Sequence, residues 1–252
     1  MTPASTTERY TNHRFPGEII RHGVWLSYCF TLSYRDVQAL LFERHIDVSH
    51  EAIRPWCRKF GQDDAHRLRR RRAQPGDKWH LDEVLLTSNG KRCYLWRAVD
   101  QDDHVLDILV QSRRNKQAAK KFFRKLLKGL TYVPRVIITD KRKSYGAAKR
   151  EMLPGVEHRQ SRSRNNRCEH SHRPTRQREH RMQGCKSAGH AQRFVSTYRP
   201  IAQHFRPRRH LFSATEYRRE MRQRFESWGE ITGTERAAEE RGRTRVVSPF
   251  AL

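Results

Sequence analysis

What most constrains the fold of this chain is a change of hydrophobic period near residue 79. Trp79–Thr87, Arg92–Val99 and Val105–Gln111 carry the apolar spacing of three strands. Asn89-Gly90 separates the first two, a pair that readily adopts the left-handed angles of a two-residue hairpin turn, and Asp100–Asp103 turns the next. From Asn115 to about Leu130 the spacing becomes helical, giving an amphipathic helix that ends near Gly129. Val136–Thr139 (VIIT) is a short continuous apolar run, the mark of a strand covered on both faces. A helix is expected around Lys143–Met152, a short strand near Val156–Arg159, and mostly basic helix from about Asn166 to Trp228.

Ahead of this region the period is helical throughout. Ile19, Ile20, Val24 and Trp25 form one apolar group, Val37, Leu40 and Leu41 a second, and Ile53, Trp56 and Phe60 a third. Ser33 with Asp36 reads as a capping box opening the second helix, and Ser49 can cap the third. His45-Ile46-Asp47-Val48 connects them, with apolar residues placed to pack beneath both. Three short helices with a tight last connection suggest a helix-turn-helix. The expected fold class is therefore α/β: an RNase H-like core, a mixed sheet flanked by helices, preceded by an all-α helix-turn-helix domain. The boundaries read as a loose segment at 1–16, the helix-turn-helix at 17–62, a basic linker at 63–76 around Arg67–Arg72 and Pro75-Gly76, the core at 77–212, and a helical then disordered tail at 213–252.

Charge narrows the partner. Lys and Arg total 53 against 27 acidic residues, a net charge of +26. A field of that sign attracts polyanions and makes their binding salt-dependent, so double-stranded DNA is the first candidate. A membrane is not expected as partner, because no apolar run reaches the roughly 18 residues of a spanning helix. The first residues also lack the apolar core of a secretion signal, and a cytoplasmic location is expected. Five cysteines (Cys29, Cys57, Cys93, Cys168, Cys185) are scattered without a CxxC pair, which argues against a disulfide framework or a structural zinc site.

Three acidic residues stand where chemistry could use them. Asp82 lies inside the first strand, where an unpaired carboxylate costs several kcal/mol; a buried salt bridge would explain it as simply. Glu83 beside it must face the other side of the sheet. Asp140 directly follows the VIIT strand, at the end where α/β sheets place ligand-binding groups, although Asp also commonly opens a turn or caps a helix. Glu169 opens the late helical region, with Arg176 two turns on along the same face; alone, each would read as solvated charge. Together they form a set of hard oxygen ligands suited to Mg²⁺, and a pair of such ions can activate an attacking oxygen while stabilising a leaving one.

The residues from about Ser33 to His210, roughly 70 % of the chain, strongly resemble transposases of the bacterial insertion-sequence-six family, within the DDE and retroviral-integrase superfamily. The resemblance is carried by WHLDE (Trp79–Glu83), YLWRAVD (Tyr94–Asp100), SRRN (Ser112–Asn115), TDK with SYGAA after it (Thr139–Ala148), VEHRQS (Val156–Ser161), NNRCE (Asn165–Glu169), PTRQRE (Pro174–Glu179) and HFRPRRHL (His204–Leu211). It implies Asp82, Asp140 and Glu169 as catalytic metal ligands for Mg²⁺, with Mn²⁺ able to substitute, and Arg176 as the basic residue after the Glu. It also implies hydrolytic exposure of a 3′-OH at the element's end and attack of that hydroxyl on target DNA, by a dimer or higher oligomer. DNA contacts are expected from Arg35, Ser49, His50, Arg54, Arg58, Lys59, Arg69, Arg70, Arg167 and Arg176.

The chain departs from the family pattern in four places. The gap between Asp140 and Glu169 is short, Pro55 interrupts the expected recognition helix, His170 replaces an Asn, and Gly184-Cys185 replaces a basic-aromatic pair. The alternative reading is a catalytically decayed DNA-binding protein or a repressor of its own element, and a third is a general nuclease on the same fold. His80, His158 and His172 are read as surface or phosphate-facing groups, Asp100, Asp102 and Asp103 as a turn, and the five tryptophans as core.

Overall fold

In chain order the elements are helices α1 (Gly17–Cys29), α2 (Tyr34–Phe42) and α3 (His50–Arg70), strands β1 (Lys78–Ser88), β2 (Lys91–Asp100) and β3 (Val105–Gln111), helix α4 (Lys116–Leu130), strand β4 (Val136–Thr139), helix α5 (Lys143–Met152), strand β5 (Glu157–Gln160), and helices α6 (Asn166–Arg181), α7 (Ala188–His204) and α8 (Ala214–Thr232). This computed structural model describes residues 9–72, 74–130, 132–140, 143–161, 166–181, 185–207 and 209–234. Residues 1–8 of the expected loose N-terminus and 235–252 of the expected tail lie outside them. The chain divides into two compact units, residues 72–199 and residues 1–71 with 200–252.

In the unit spanning 72–199 the five strands form one mixed sheet of order β3-β2-β1-β4-β5. β1, β2 and β3 run antiparallel as a meander, and β4 and β5 run parallel to β1. The β1–β2 turn has φ of 50° at Asn89 and 72° at Gly90, which is why Asn-Gly suits it. One face of the sheet buries Trp79, Leu81, Trp96, Ala98 and Ile137 against Ala119, Phe122, Phe123 and Leu126 of α4 and Tyr145 and Ala148 of α5. On the other face Leu86, Leu95, Val99 and Ile108 meet Cys185 and, from α7, Ala191 and Val195. Burying side chains of this size contributes about 1.5–3 kcal/mol each, enough to hold the sheet between two helical layers. Strand order, direction and two-sided covering are those of an RNase H-like fold.

The other unit begins with α1, α2 and α3. Ile20 and Val24 of α1 are buried, and Gly23 faces the Trp56 ring of α3. The Tyr28 hydroxyl donates to the Cys57 carbonyl at 3.0 Å. Ser33 and Asp36 form the capping box, and Ser49 Oγ accepts from the Ala52 N–H. Between α2 and α3, His45 takes a left-handed φ of 58°, the Ile46 N–H bonds back to the Leu41 carbonyl, and Val48 is buried.

Two features differ from the sequence reading. Helix α3 runs on to Arg70 through the stretch expected to open a linker at residue 63. Buried Asp64 and Ala65 and an Arg67–Asp63 ion pair of 3.1 Å one turn apart support that extension, and arginines in the last turn complement the helix dipole. Helix α8, expected as the helical part of a C-terminal tail outside the folded domains, packs into this unit. Its Trp228 and Ile231 are buried, the Ile231 carbonyl accepts from both Arg9 and Arg67, and the Tyr10 hydroxyl donates to the Thr232 carbonyl. Trp228 meets Phe205 edge-on at 5.5 Å. Among the described residues no helix is long and apolar enough to cross a membrane.

Candidate active site

The parallel ladder between β1 and β4 places Lys78 beside Val136 and ends with Leu81 beside Thr139. Asp82 and Asp140 each directly follow the last pair of that ladder, Leu81 and Thr139. The two-residue alternation turns Asp82 toward the face opposite Trp79, Leu81 and Ile137. Asp140 is half-buried. Thr139 Oγ1 contacts His158 Nε2 at 2.9 Å, tying the end of β4 to β5. Burial first, then Lys149, holds the His158 imidazole below its ordinary range.

Helix α6 covers this face. His172 is buried, with Nε2 3.6 Å from Asp82 Oδ2. Burial first, then Arg97, Arg199 and Arg176, push its pKa well below the usual imidazole value. Arg97 stands directly opposite Asp82 in the β1–β2 register, is completely buried, and donates from Nη2 to Thr175 Oγ1 at 2.7 Å. Glu169 lies in the first turn of α6, one turn before His172. The side chains of Arg167, Cys168 and Glu169 lie outside the described residues. Glu83 takes the opposite face, as alternation requires: its side chain is buried, Arg114 Nε is 3.7 Å away, and that guanidinium lies 5.2 Å from the Tyr94 ring centre.

Neighbouring carboxylates at the open end of a parallel strand pair suit a hard divalent cation, which takes oxygen ligands and keeps several waters. Among the described residues no group of three His, Cys, Asp or Glu stands close enough to hold a metal ion. Asp100, by contrast, spends its carboxylate on a turn: Oδ1 accepts the N–H groups of Asp102 and His104, each at 2.8 Å.

The family model described as a DDE domain matches residues 76–208, the span that holds this sheet and its carboxylates. The chain belongs to the insertion-sequence-six family of DDE transposases. The transposase for insertion sequence-like element IS431mec of Staphylococcus aureus is 29 % identical to it over 180 residues, covering 69 % of this chain and 80 % of that protein. The transposase for element IS257 in transposon Tn4003, also of Staphylococcus aureus, is 28 % identical over the same coverage. An uncharacterized Yersinia pseudotuberculosis protein is 39 % identical over 72 residues, 28 % of this chain and 67 % of that one. Among solved structures, the catalytic core of BIV integrase aligns with a TM-score of 0.40 at 15 % identity, covering 61 % of this transposase and 99 % of that chain. The HTLV-2 integrase core in complex with magnesium aligns with a TM-score of 0.39 at 13 % identity, covering 51 % and 86 %.

The residues expected at DNA fall on several parts of the transposase. Arg54, Arg58 and Lys59 are exposed along one side of α3, Arg69 and Arg70 are exposed in its last turn, and Arg35 is exposed in the first turn of α2. Arg54 pairs with Glu51 at 3.2 Å. Ser49 uses its hydroxyl to cap α3, and His50 docks on Gln38 through its N–H at 2.9 Å, so both have a folding role. Arg176 is exposed on α6. Of the departures from the family pattern, Pro55 sits inside an α3 that continues through it, and Cys185 is a core residue whose carbonyl accepts from Ser88. Residue 184 lies outside the described residues.

Sequence reasoning passed over Arg97 and Thr175 and set His172 aside as a surface group. The signal for Arg97 was present: it shares the parity of Leu95 and Val99 in YLWRAV, and a charge at an inward position of an apolar strand needs a buried partner. His172 lies at helical spacing from both Glu169 and Arg176, which marks the stripe facing the sheet.

Proposed function

We propose that this transposase binds the terminal inverted repeats of its own element and carries out Mg²⁺-dependent cleavage and strand transfer at Asp82, Asp140 and Glu169. The observation that carries the reading is the register that sets Asp82 and Asp140 directly after the last pair of the β1–β4 ladder, with Glu169 in the first turn of α6. When bound there, Mg²⁺ (or Mn²⁺) supplies a Lewis acid that lowers the cost of charge on the attacking and leaving oxygens. Asp82 and Asp140 would hold that ion from the sheet side and Glu169 from the helix, so that the cation, not the carboxylates themselves, would meet the scissile phosphate. No side-chain nucleophile is needed, because water and then the freed 3′-OH attack the phosphorus. Arg176 and the surrounding guanidiniums attract the phosphate backbone without reading bases.

Helix α3 presents Arg54, Arg58 and Lys59 as a recognition face in the manner of a helix-turn-helix, with Arg35 and the Arg69–Arg70 pair contacting phosphates. Arg167 is assigned to DNA from the sequence alone. Two element ends must be brought together, which calls for a dimer or larger assembly acting on the element's ends and on target DNA in the bacterial cytoplasm.

The test is a strand-transfer assay with Mg²⁺ on DNA carrying the element's ends, run with single alanine variants at Asp82, Asp140 and Glu169. Each variant should lose joining by at least about a thousandfold while still shifting terminal-repeat DNA in a gel. Wild-type protein that binds the ends but never joins them would favour a decayed DNA-binding protein. Equal cutting of DNA without the ends would favour a general nuclease.

A further inference from the structure

Beneath the proposed metal ligands lies a polar cluster that a purely structural core would not need. Arg97 is completely buried, faces Asp82 across the β1–β2 pair, and donates to Thr175 on α6. His172, three residues before Thr175, is buried with its Nε2 3.6 Å from Asp82, beyond hydrogen-bond reach, so its hold on the carboxylate is by close approach and charge–dipole attraction. Two contacts at positions i and i+3 of one helix set both its height on the sheet and its rotation. Glu169 is a further three residues back along the helix. Docking a helix with apolar side chains is cheaper than burying a guanidinium and an imidazole, because ions and polar rings must first be stripped of water. Placing them here is explained if the group to be held is itself a charge.

We propose that Arg97 and His172 are positioning residues of the DDE site. They hold Asp82 between β2 and α6 and thereby fix how far the Glu169 turn stands from β1. The inference rests on the reading of Asp82, Asp140 and Glu169 as metal ligands. Its consequence is that metal affinity depends on two residues that touch neither metal nor DNA.

The experiment follows the thermal midpoint of the full chain while Mn²⁺ is added, alongside terminal-repeat binding and strand-transfer kinetics. Because Mn²⁺ binds the folded site, the wild-type midpoint should climb with its concentration. His172→Ala and Thr175→Val should each need about tenfold more Mn²⁺ for the same climb, the usual effect of losing a group that orients a ligand. Thr175→Val removes only the hydroxyl that Arg97 engages, so it avoids the instability that substituting Arg97 itself would bring. His172→Gln, which keeps a polar group in that space, should recover most of the response. Terminal-repeat binding should not change, and strand transfer should fall in kcat at fixed metal with KM for the DNA ends unaltered. The inference is overturned if His172→Ala and Thr175→Val lose metal-free stability but keep the wild-type Mn²⁺ dependence. If wild type shows no Mn²⁺ response and Asp82→Ala still joins DNA, the metal-ligand reading fails and this inference with it.

Discussion

Replacing Arg9 with Met should loosen the helical unit in a way that depends on pH. The Arg9 side chain is 7 % exposed, and its Nη2 pairs with Asp64, whose own side chain is 1 % exposed. Its Nη1 donates to the Ile231 carbonyl at the end of α8, but that carbonyl keeps a second donor in Arg67 at 3.1 Å. The cost therefore comes chiefly from leaving Asp64 buried without its cation, about 3–5 kcal/mol when the carboxylate stays ionised. Burial already pushes the Asp64 carboxyl up to about 7, against the downward pull of Arg9. An acid raised on folding contributes stability that is complete below the unfolded carboxylate pKa, near 4, and is lost as pH rises through its folded value. In the variant, then, Asp64 escapes the cost by taking up a proton when the pH is low enough.

The deficit should be about 2.5–3.5 kcal/mol at about pH 8, where proton uptake caps the charge cost at about 1.4 kcal/mol per pH unit above the wild-type value, and fall to about 1–2 kcal/mol at about pH 5, where only hydrogen bonding and packing are lost. Hydrogen exchange read by mass spectrometry localises the effect. Relative to wild type at the same pH, α3 and α8 peptides should exchange on the order of 10² times faster at the higher pH and about tenfold faster at the lower, since 1.4 kcal/mol is a factor of ten. Peptides from β1 and β2 serve as the control. Equal acceleration at both pH values, or none in α8, would refute the reasoning.

Other outcomes follow from single features. Pro55→Ala should stabilise α3 by about 1–3 kcal/mol in urea unfolding, because an exposed proline in the helix interior forfeits the hydrogen bond to the Glu51 carbonyl. Trp96→Ala should cost about 3–5 kcal/mol in thermal or urea unfolding, since Trp96 is fully buried against Phe122 and Tyr145. Gly90→Val should cost about 1–2 kcal/mol for backbone strain alone, as φ is 72° and nothing lies within 4 Å of the added carbon. Arg58→Ala should reduce the slope of log affinity against log salt for terminal-repeat DNA by about one.

Much of the sheet was legible because its signals are local. Asn89-Gly90 specifies a hairpin whatever surrounds it, and VIIT reads as a covered strand by composition alone. Register supplied what composition could not: only the pairing of Leu81 with Thr139 sets Asp82 and Asp140 at the end of one ladder. The packing of α8 was illegible for the opposite reason. Its hold on the unit comes from Arg9, Tyr10 and Arg67, more than 150 residues away in sequence, acting on backbone carbonyls that carry no sequence signature. Helix α3 was read as ending early because a run of arginines resembles a linker. Asp64, hidden in that run, instead anchors the helix through a partner near the N-terminus. Arg97 was passed over and His172 set aside as a surface group because each is ordinary until the sheet and α6 bring them near Asp82.

The most direct measurement is a metal-switch experiment at Asp82. A thiolate binds Mg²⁺ poorly but accepts softer ions, so the metal requirement should follow the ligand atom. Asp82→Cys should be inactive in strand transfer with Mg²⁺ and recover at least about tenfold when Mn²⁺ replaces it, while Asp82→Ala stays inactive with both. Strand transfer by Asp82→Cys or Asp82→Ala at wild-type level with Mg²⁺ would show that the Asp82 carboxylate is no metal ligand and would contradict the account.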